Sequence, residues 1–245
     1  MYKCCIIIPN YNHDKVITET VNTLLKYDLP ICIIDDASNA ETKQVLNELS
    51  HLPSVSVETH QVNQGKGGAV KTGLRWAREQ GFSHAIQIDA DGQHNTDDVD
   101  TLLEMSRANP EALISGFPEY DESVPKGRLI SRYITHFWVW VETLSLEIKD
   151  SMCGFRCYPV QAVNEVLDKE NIGSRMDFDI EIMVHLFWYK IDIIQFPTKV
   201  IYPEEGVSHF RLWHDNALIT KMHTRLFFGM LWRLPSLIKR KMLPA

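Results

Sequence analysis

With 245 residues, 44% hydrophobic and 23% charged, the chain has a globular composition and room for one large α/β domain. A formal net charge of −7 excludes a general nucleic-acid binder, which needs a basic surface. The charge is uneven: Asn216–Ala245 carries six Lys or Arg and no acid, while the first 215 residues hold the other 19 basic side chains and all 32 acidic ones, a charge of −13.

Five short apolar runs punctuate the first 117 residues: Lys3–Pro9, Ile31–Asp36, Val55–Val62, His84–Asp89 and Ala112–Phe117. Runs of this length, bounded by turn residues, predict strands of a parallel sheet covered on both faces. Between them lie stripes at helical spacing: Ile17, Val21, Leu24 and Leu25; Val45, Leu46 and Leu49; Ala69, Val70, Leu74 and Ala77; Val99, Leu102 and Leu103. Alternating strands and helices imply right-handed crossovers and a doubly wound sheet. The second half predicts a helix over Leu129–Leu146, a strand over Gly154–Pro159, a helix near Phe178–Tyr189 and a strand over Ile191–Tyr202. A final helix is expected from Asn216 to about Arg233, stopped by Pro235. No Gly/Ser linker separates the halves, so one domain is expected over 1–215. Met1-Tyr2-Lys3 leads into an apolar segment too short for a signal peptide, and no run reaches the roughly 18–20 apolar residues of a membrane span. A cytoplasmic chain with reduced thiols is therefore expected, and Cys153 and Cys157 lack the second Cys/His pair of a zinc site.

In doubly wound sheets ligands bind beyond the carboxyl ends of the strands. Here four such ends are polar: Pro9-Asn10-Tyr11-Asn12-His13, Asp35-Asp36-Ala37-Ser38, Asn63-Gln64-Gly65-Lys66-Gly67-Gly68 and Asp89-Ala90-Asp91-Gly92-Gln93-His94. Asp89 and Asp91 are two apart, so both carboxylates leave on one face. At about 6 Å and an effective dielectric near 20 they repel by roughly 3 kcal/mol, a cost that a cation between them removes. Oxygen ligands from Asp91 and Gln93 suit Mg²⁺ or Mn²⁺, completed by water and substrate phosphates. Taken alone, the segment also reads as a solvated turn capping the next helix. The Gly-rich turn opens a helix and offers backbone N–H groups and Lys66 to an anion. It is neither a Walker A loop nor a dinucleotide fingerprint.

Together these motifs, with Gly154-Phe155-Arg156, resemble the family-2 inverting glycosyltransferases of GT-A fold, and most closely their dolichyl- or polyprenyl-phosphate mannosyl/glucosyltransferase branch. The resemblance covers about residues 3–160. It implies a mostly parallel α/β sheet with helices on both faces and a C-terminal amphipathic extension. It also implies a nucleotide-sugar half over about 1–117 and an acceptor half over about 118–215. Pro9, Tyr11, His13, Asp35, Asp36, Lys66, Asp89, Ala90 and Asp91 would contact the donor. Asp89, Asp91 and Gln93 would hold the metal, with Asp91 catalytic. The chain departs from the family at His13 (often Glu), Ala37 (Gly or Asp), Ser115-Gly116-Phe117 (usually an Arg) and Ser208-His209 (Ser-Lys).

For the acceptor, a phosphate monoester is already largely ionised at neutral pH and needs cations rather than a base. Arg128 and Arg132 share a helix face at an expected helix start, beside Ser131, and are assigned to it with Arg156 and His209. Two solvated arginines are the competing reading. If the acceptor is instead a hydroxyl of a glycan or lipid, the resemblance, through the family's second acidic motif, makes Asp179 the candidate base, with an N-cap as the alternative. A non-catalytic nucleotide-sugar-binding module is the alternative outside enzymes. In the tail, Ile219, Met222, Leu226 and Met230 form one arc, and Phe228, Trp232 and Lys239-Arg240-Lys241 suit an anionic membrane surface. A basic tail over 216–245 is thus expected on the cytoplasmic face of a membrane near a lipid-linked acceptor, with a helix lying on the core as the alternative.

Overall fold

The computed structural model describes residues 1–119, 126–199 and 212–242, without the side chains of 126–131 and 212. Seven strands form one sheet in the order β3-β2-β1-β4-β6-β5-β7. These are β1 (Cys4–Asn10), β2 (Ile31–Asp35), β3 (Val55–Thr59), β4 (His84–Gln87), β5 (Leu113–Glu119), β6 (Arg156–Pro159) and β7 (Ile193–Lys199). The first four are parallel, and β5 and β7 are parallel to each other. β6 lies antiparallel between β4 and β5.

Every residue of β1 and β2 is buried, as expected for strands covered on both sides. Alternation sends Cys5, Ile7, Cys32 and Ile34 into one core layer and Cys4, Ile6, Ile8, Ile31 and Ile33 into the other. The first layer is closed by α3 (Lys66–Glu79), α5 (Lys126–Thr143), α6 (Val160–Lys169), α7 (Phe178–Trp188) and α8 (Leu212–Met242). The second is closed by α1 (Asp14–Leu24), α2 (Ala40–Leu49) and α4 (Val99–Ala108). Asn39 caps α2, accepting from the Thr42 N–H at 2.9 Å. All eleven residues of α7 are buried, so this helix has no solvent face and forms the interior of the molecule.

Three expectations need correction. The strand begun at Val55 ends at Thr59, where His60 turns its ring back to Asp36. α6 carries no counterpart in the expected elements. The last helix does not stop at Pro235 but runs through it to Met242. Proline removes the bond to the carbonyl four residues back, here that of Leu231, a residue 46% exposed, so the loss falls on the solvent side. The arc of Met222, Leu226 and Met230 is buried at 1%, 1% and 4% in the core layer rather than offered to a bilayer. The strand end beyond residue 199 lies outside the described residues.

Candidate active site

The carboxyl ends of β1 and β2 place Asn10 and Asp35 side by side in register, each 1% exposed. Asp35 Oδ1 accepts the Ser38 N–H at 3.0 Å. Its Oδ2, and both polar atoms of Asn10, have no hydrogen-bond partner among the described residues. Buried polar groups are normally satisfied by protein, water or ligand, so this pair is a candidate for contact with a polar ligand. Ser38 Oγ accepts the Asn12 N–H at 3.0 Å and Asn12 Oδ1 accepts the Asn39 N–H at 2.8 Å, which stitches the two strand-end turns together. Pro9 is buried within β1, while Tyr11 and His13 follow it half-buried, His13 as the N-cap of α1. Ala37 has φ 61°, a left-handed conformation that costs about 1–2 kcal/mol for a residue with a Cβ.

The Gly-rich turn differs from the free anion cradle expected. Asp36, 2% exposed, accepts the N–H groups of Gln64 (2.8 Å) and Gly65 (2.7 Å) and meets the His60 ring at 2.7 Å. The Gly68 N–H donates to the Ser174 carbonyl at 2.8 Å. Three of the turn's donors are thus spent inside the protein, and both Asp36 oxygens are engaged. Asp36 therefore anchors the turn and is not free for donor contact. Its glycines serve close approach: a Cβ on Gly67 would stand 2.3 Å from Phe178 Cβ, and one on Gly65, at φ 88°, 2.6 Å from the Ser174 carbonyl.

What the anchored turn delivers is Lys66. Its Nζ lies 2.7 Å from Asp89 Oδ2 and 2.8 Å from Asp179 Oδ2, joining the end of β4 to the start of α7. Burial lowers the ammonium's affinity for its proton, but Asp179 and Asp89 outweigh this and hold its pKa above the usual lysine value. Burial likewise raises the Asp89 carboxyl, but Lys66 and His94, whose Nε2 is 3.4 Å away, pull it well below the usual range. Gln87 reaches both acids with one amide, Nε2 lying 3.3 Å from Asp89 Oδ1 and 3.4 Å from Asp179 Oδ1. Its Oε1 accepts from the Tyr158 hydroxyl at 3.1 Å, a phenol that burial pushes up to about 12 and so keeps protonated. Gly154 must lack a side chain, because a Cβ there would sit 2.7 Å from both Asp89 Oδ2 and Gln87 Nε2.

Asp91 is half-buried and takes part in no ion pair among the described residues; its Oδ1 accepts the Gln93 N–H at 3.1 Å. Ala90 is buried between the two acids at 2% exposure. No group of three His, Cys, Asp or Glu side chains that could hold a metal occurs among the described residues. The donor set nevertheless fits a hard divalent ion of the Mg²⁺ or Mn²⁺ kind. Such ions take one or two carboxylates and complete their shell with water and phosphate oxygens. Asp91 supplies a carboxylate that is outside any ion pair among the described residues, next to Asp89.

On the expected acceptor side, Arg132 grips Asp150 through Nε (2.5 Å) and Nη2 (2.9 Å). Asp150 also accepts the N–H groups of Met152 and Cys153. Arg132, Lys149, His136, Tyr133, Phe117 and Pro118 line a cavity of about 170 Å³ above that carboxylate. Arg128 and Ser131 lie in α5 with side chains outside the described residues, and His209 lies outside them altogether. Arg156 requires a correction. It is 0% exposed and donates to the carbonyls of Cys153, Ser151 and Asp179, each at 2.8 Å. A guanidinium so enclosed cannot touch an acceptor; it positions Asp179 instead. Gln87, Tyr158 and His60 were missed. Gln87 had a visible signal: a polar residue inside an apolar run, two before Asp89 and hence on its face.

Residues 5–164 match the family described as glycosyl transferase family 2. The chain is 28% identical over 220 residues to a UDP-N-acetylglucosamine–dolichyl-phosphate N-acetylglucosaminyltransferase of Methanococcus voltae, covering 83% of this chain and 87% of the relative. It is 26% identical over 213 residues to an undecaprenyl-phosphate mannosyltransferase of Micrococcus luteus, covering 82% and 85%. A glucosyl-3-phosphoglycerate synthase of Mycobacterium tuberculosis, solved with Mn²⁺, UDP and phosphoglyceric acid, shares the fold with a TM-score of 0.67 at 12% identity, over 94% of this chain and 78% of that one. The sheet is thus the GT-A type. With the match spanning well over half of its length, the chain belongs to glycosyl transferase family 2.

Proposed function

We propose that the protein transfers a hexose, with inversion, from a UDP- or GDP-sugar to a polyprenyl phosphate at the cytoplasmic face of a membrane. The observation that carries this is the pairing of unsatisfied Asn10 and Asp35 at the ends of β1 and β2 with the Lys66–Asp89–Asp179 cluster. The first offers a nucleoside its missing hydrogen bonds. In this reading the second would stand beside the departing diphosphate. Support for the lipid phosphate comes from the two relatives, which are named for dolichyl and undecaprenyl phosphate. Support for a divalent ion comes from the Mn²⁺ and UDP in the solved synthase.

Within this reading Asp35 and Asn10 hold the nucleoside, beside Pro9, Tyr11 and His13. Asp91, with Asp89 and Gln93, would hold a divalent ion, which when bound supplies neutralisation of charge on the departing phosphate. Lys66 pairs with both Asp89 and Asp179 and so ties the end of β4 to the start of α7. Arg128, Ser131, Arg132 and His209 would hold the acceptor phosphate, with Lys149 adding a charge at the Arg132 cavity. Transfer to a hydroxyl remains the second reading, because Asp179 stands 5% exposed in the same cluster where a base is needed.

No described helix is long and apolar enough to cross a membrane. We assign attachment to the outward faces of α5 and α8, where Tyr133 (63%), Phe137 (55%), Trp213 (88%), Phe228 (65%) and Trp232 (87%) are exposed. Of the six basic tail residues, Arg225, Arg233 and Arg240 are paired with Glu181, Glu170 and Asp192. The exposed Lys221, Lys239 and Lys241 remain, worth about 1 kcal/mol each against an anionic leaflet.

Thermal melting with UDP-glucose, UDP-N-acetylglucosamine and GDP-mannose, with and without Mn²⁺, tests the donor site. A rise of several degrees for one nucleotide, enhanced by the ion, is expected. No shift with any of them would contradict the reading.

A further inference from the structure

A second cavity, of about 340 Å³, lies between α5 and α8 and shares no residue with the site described above. Its walls include Ile134, Trp138, Ile219 and Phe227, and Thr220 and Thr224 stand among its polar groups. That volume is at the lower end of small-molecule sites, about 300–1,000 Å³. One wall is not apolar. The His223 ring is 7% exposed and lines the cavity, with its Nδ1 fixed 2.8 Å from Oε1 of the fully buried Glu142. Its other nitrogen, Nε2, has no hydrogen-bond partner among the described residues. A buried ring nitrogen left unpaired carries a desolvation penalty, which a ligand's polar atom would remove.

We propose that this cavity binds a long-chain alcohol, with the hydroxyl on His223 Nε2 and the hydrocarbon against Trp138, Ile219 and Phe227. The head group follows from the pair beneath it. With Nδ1 facing a carboxylate, Nε2 is an acceptor if the ring is neutral and a donor if it is charged. A hydroxyl can serve as either partner. A carboxylate or phosphate head would be set over Glu142, which is 0% exposed and has His223 as its only ion-pair partner among the described residues. The chain has an apolar exit. Trp138 touches the exposed Phe137 ring edge-on at 5.8 Å, and Phe227 meets the exposed Phe228 in the same way at 5.8 Å. The assignment does not depend on the transfer reaction proposed above.

Isothermal titration of the full chain with 1-decanol and with decanoate, in detergent-free buffer, separates the possibilities. The alcohol should bind at one site and at least tenfold more tightly than the carboxylate. His223→Phe should weaken the alcohol about tenfold, and Thr220→Phe, at an exposed position on the rim, should abolish it while the melting temperature stays unchanged. Should His223→Phe fail to fold, the ratio between alcohol and carboxylate in the native chain and the Thr220→Phe result still decide the matter. Equal binding of the two amphiphiles, no binding, or saturable binding that survives Thr220→Phe would each overturn the proposal.

Discussion

The two parts of the sheet treat their polar groups in opposite ways. In the parallel part, β3-β2-β1-β4, the strand ends carry groups left open among the described residues: both side-chain polar atoms of Asn10, Oδ2 of Asp35, and an Asp91 carboxylate without an ion pair. In the mixed part, β6-β5-β7, the prominent charges are enclosed. Arg156 is surrounded by three carbonyls and the Tyr158 hydroxyl, and Asp150 by Arg132 and two backbone donors. The difference separates binding from scaffolding. On the proposed reading the open groups would take a ligand, whereas the satisfied ones fix where Asp179 and Asp89 stand. Lys66 joins the two parts by pairing with an acid from each side.

That division can be broken by substitution. The largest effect on stability is expected at Arg156. Arg156→Met leaves the carbonyls of Ser151, Cys153 and Asp179 without their buried cation and should cost about 3–5 kcal/mol in denaturant unfolding. A loss below 1 kcal/mol would show that the mixed part is not held from this residue. Gly154→Ala comes next. Its methyl would meet Asp89 and Gln87 at 2.7 Å, so about 1–3 kcal/mol of stability and most of the sugar-nucleotide affinity should go together. In the parallel part, Asp36→Ala removes the acceptor for Gln64 and Gly65 and should cost about 1–3 kcal/mol, while raising KM for the donor more than it lowers kcat. Unchanged donor KM would detach the turn from the site.

The smallest effect concerns acid. Burial alone raises the Asp150 carboxyl, but His136 and Arg132 outweigh it and hold the folded pKa well below the unfolded value near 3.9. Its contribution to stability is therefore complete above about pH 4 and is lost as pH falls further, toward the folded pKa. An Asp150→Asn variant should be less stable than the native chain at neutral pH, and the gap should narrow on acidification; a constant gap would deny the linkage.

The parallel part was also the legible one. Continuous apolar runs such as Cys4–Ile8 and Ile31–Ile34, short and bounded by turn residues, read as buried strands, and each ends in a polar segment. The direction of β6 was not legible, because a four-residue strand has the same pattern whichever way it runs. Neither was the fate of the Gly65–Gly68 turn. Its glycines read as a phosphate cradle, yet the contact that requires them is with Ser174–Phe178, more than a hundred residues on. Arg156 reads as a free cation in sequence and becomes a buried strut only when Asp179 folds over it. The tail's apolar arc was found correctly, but periodicity shows that a face is apolar and not whether protein or lipid covers it.

The most direct test is sugar transfer by the native chain and by Asp91→Asn, from labelled UDP- or GDP-sugar to polyprenyl phosphate in anionic vesicles with Mn²⁺. The account predicts a product for one nucleotide and a fall in kcat of about 10²–10³-fold in the variant, with its melting temperature unchanged. Equal turnover by both proteins would contradict it.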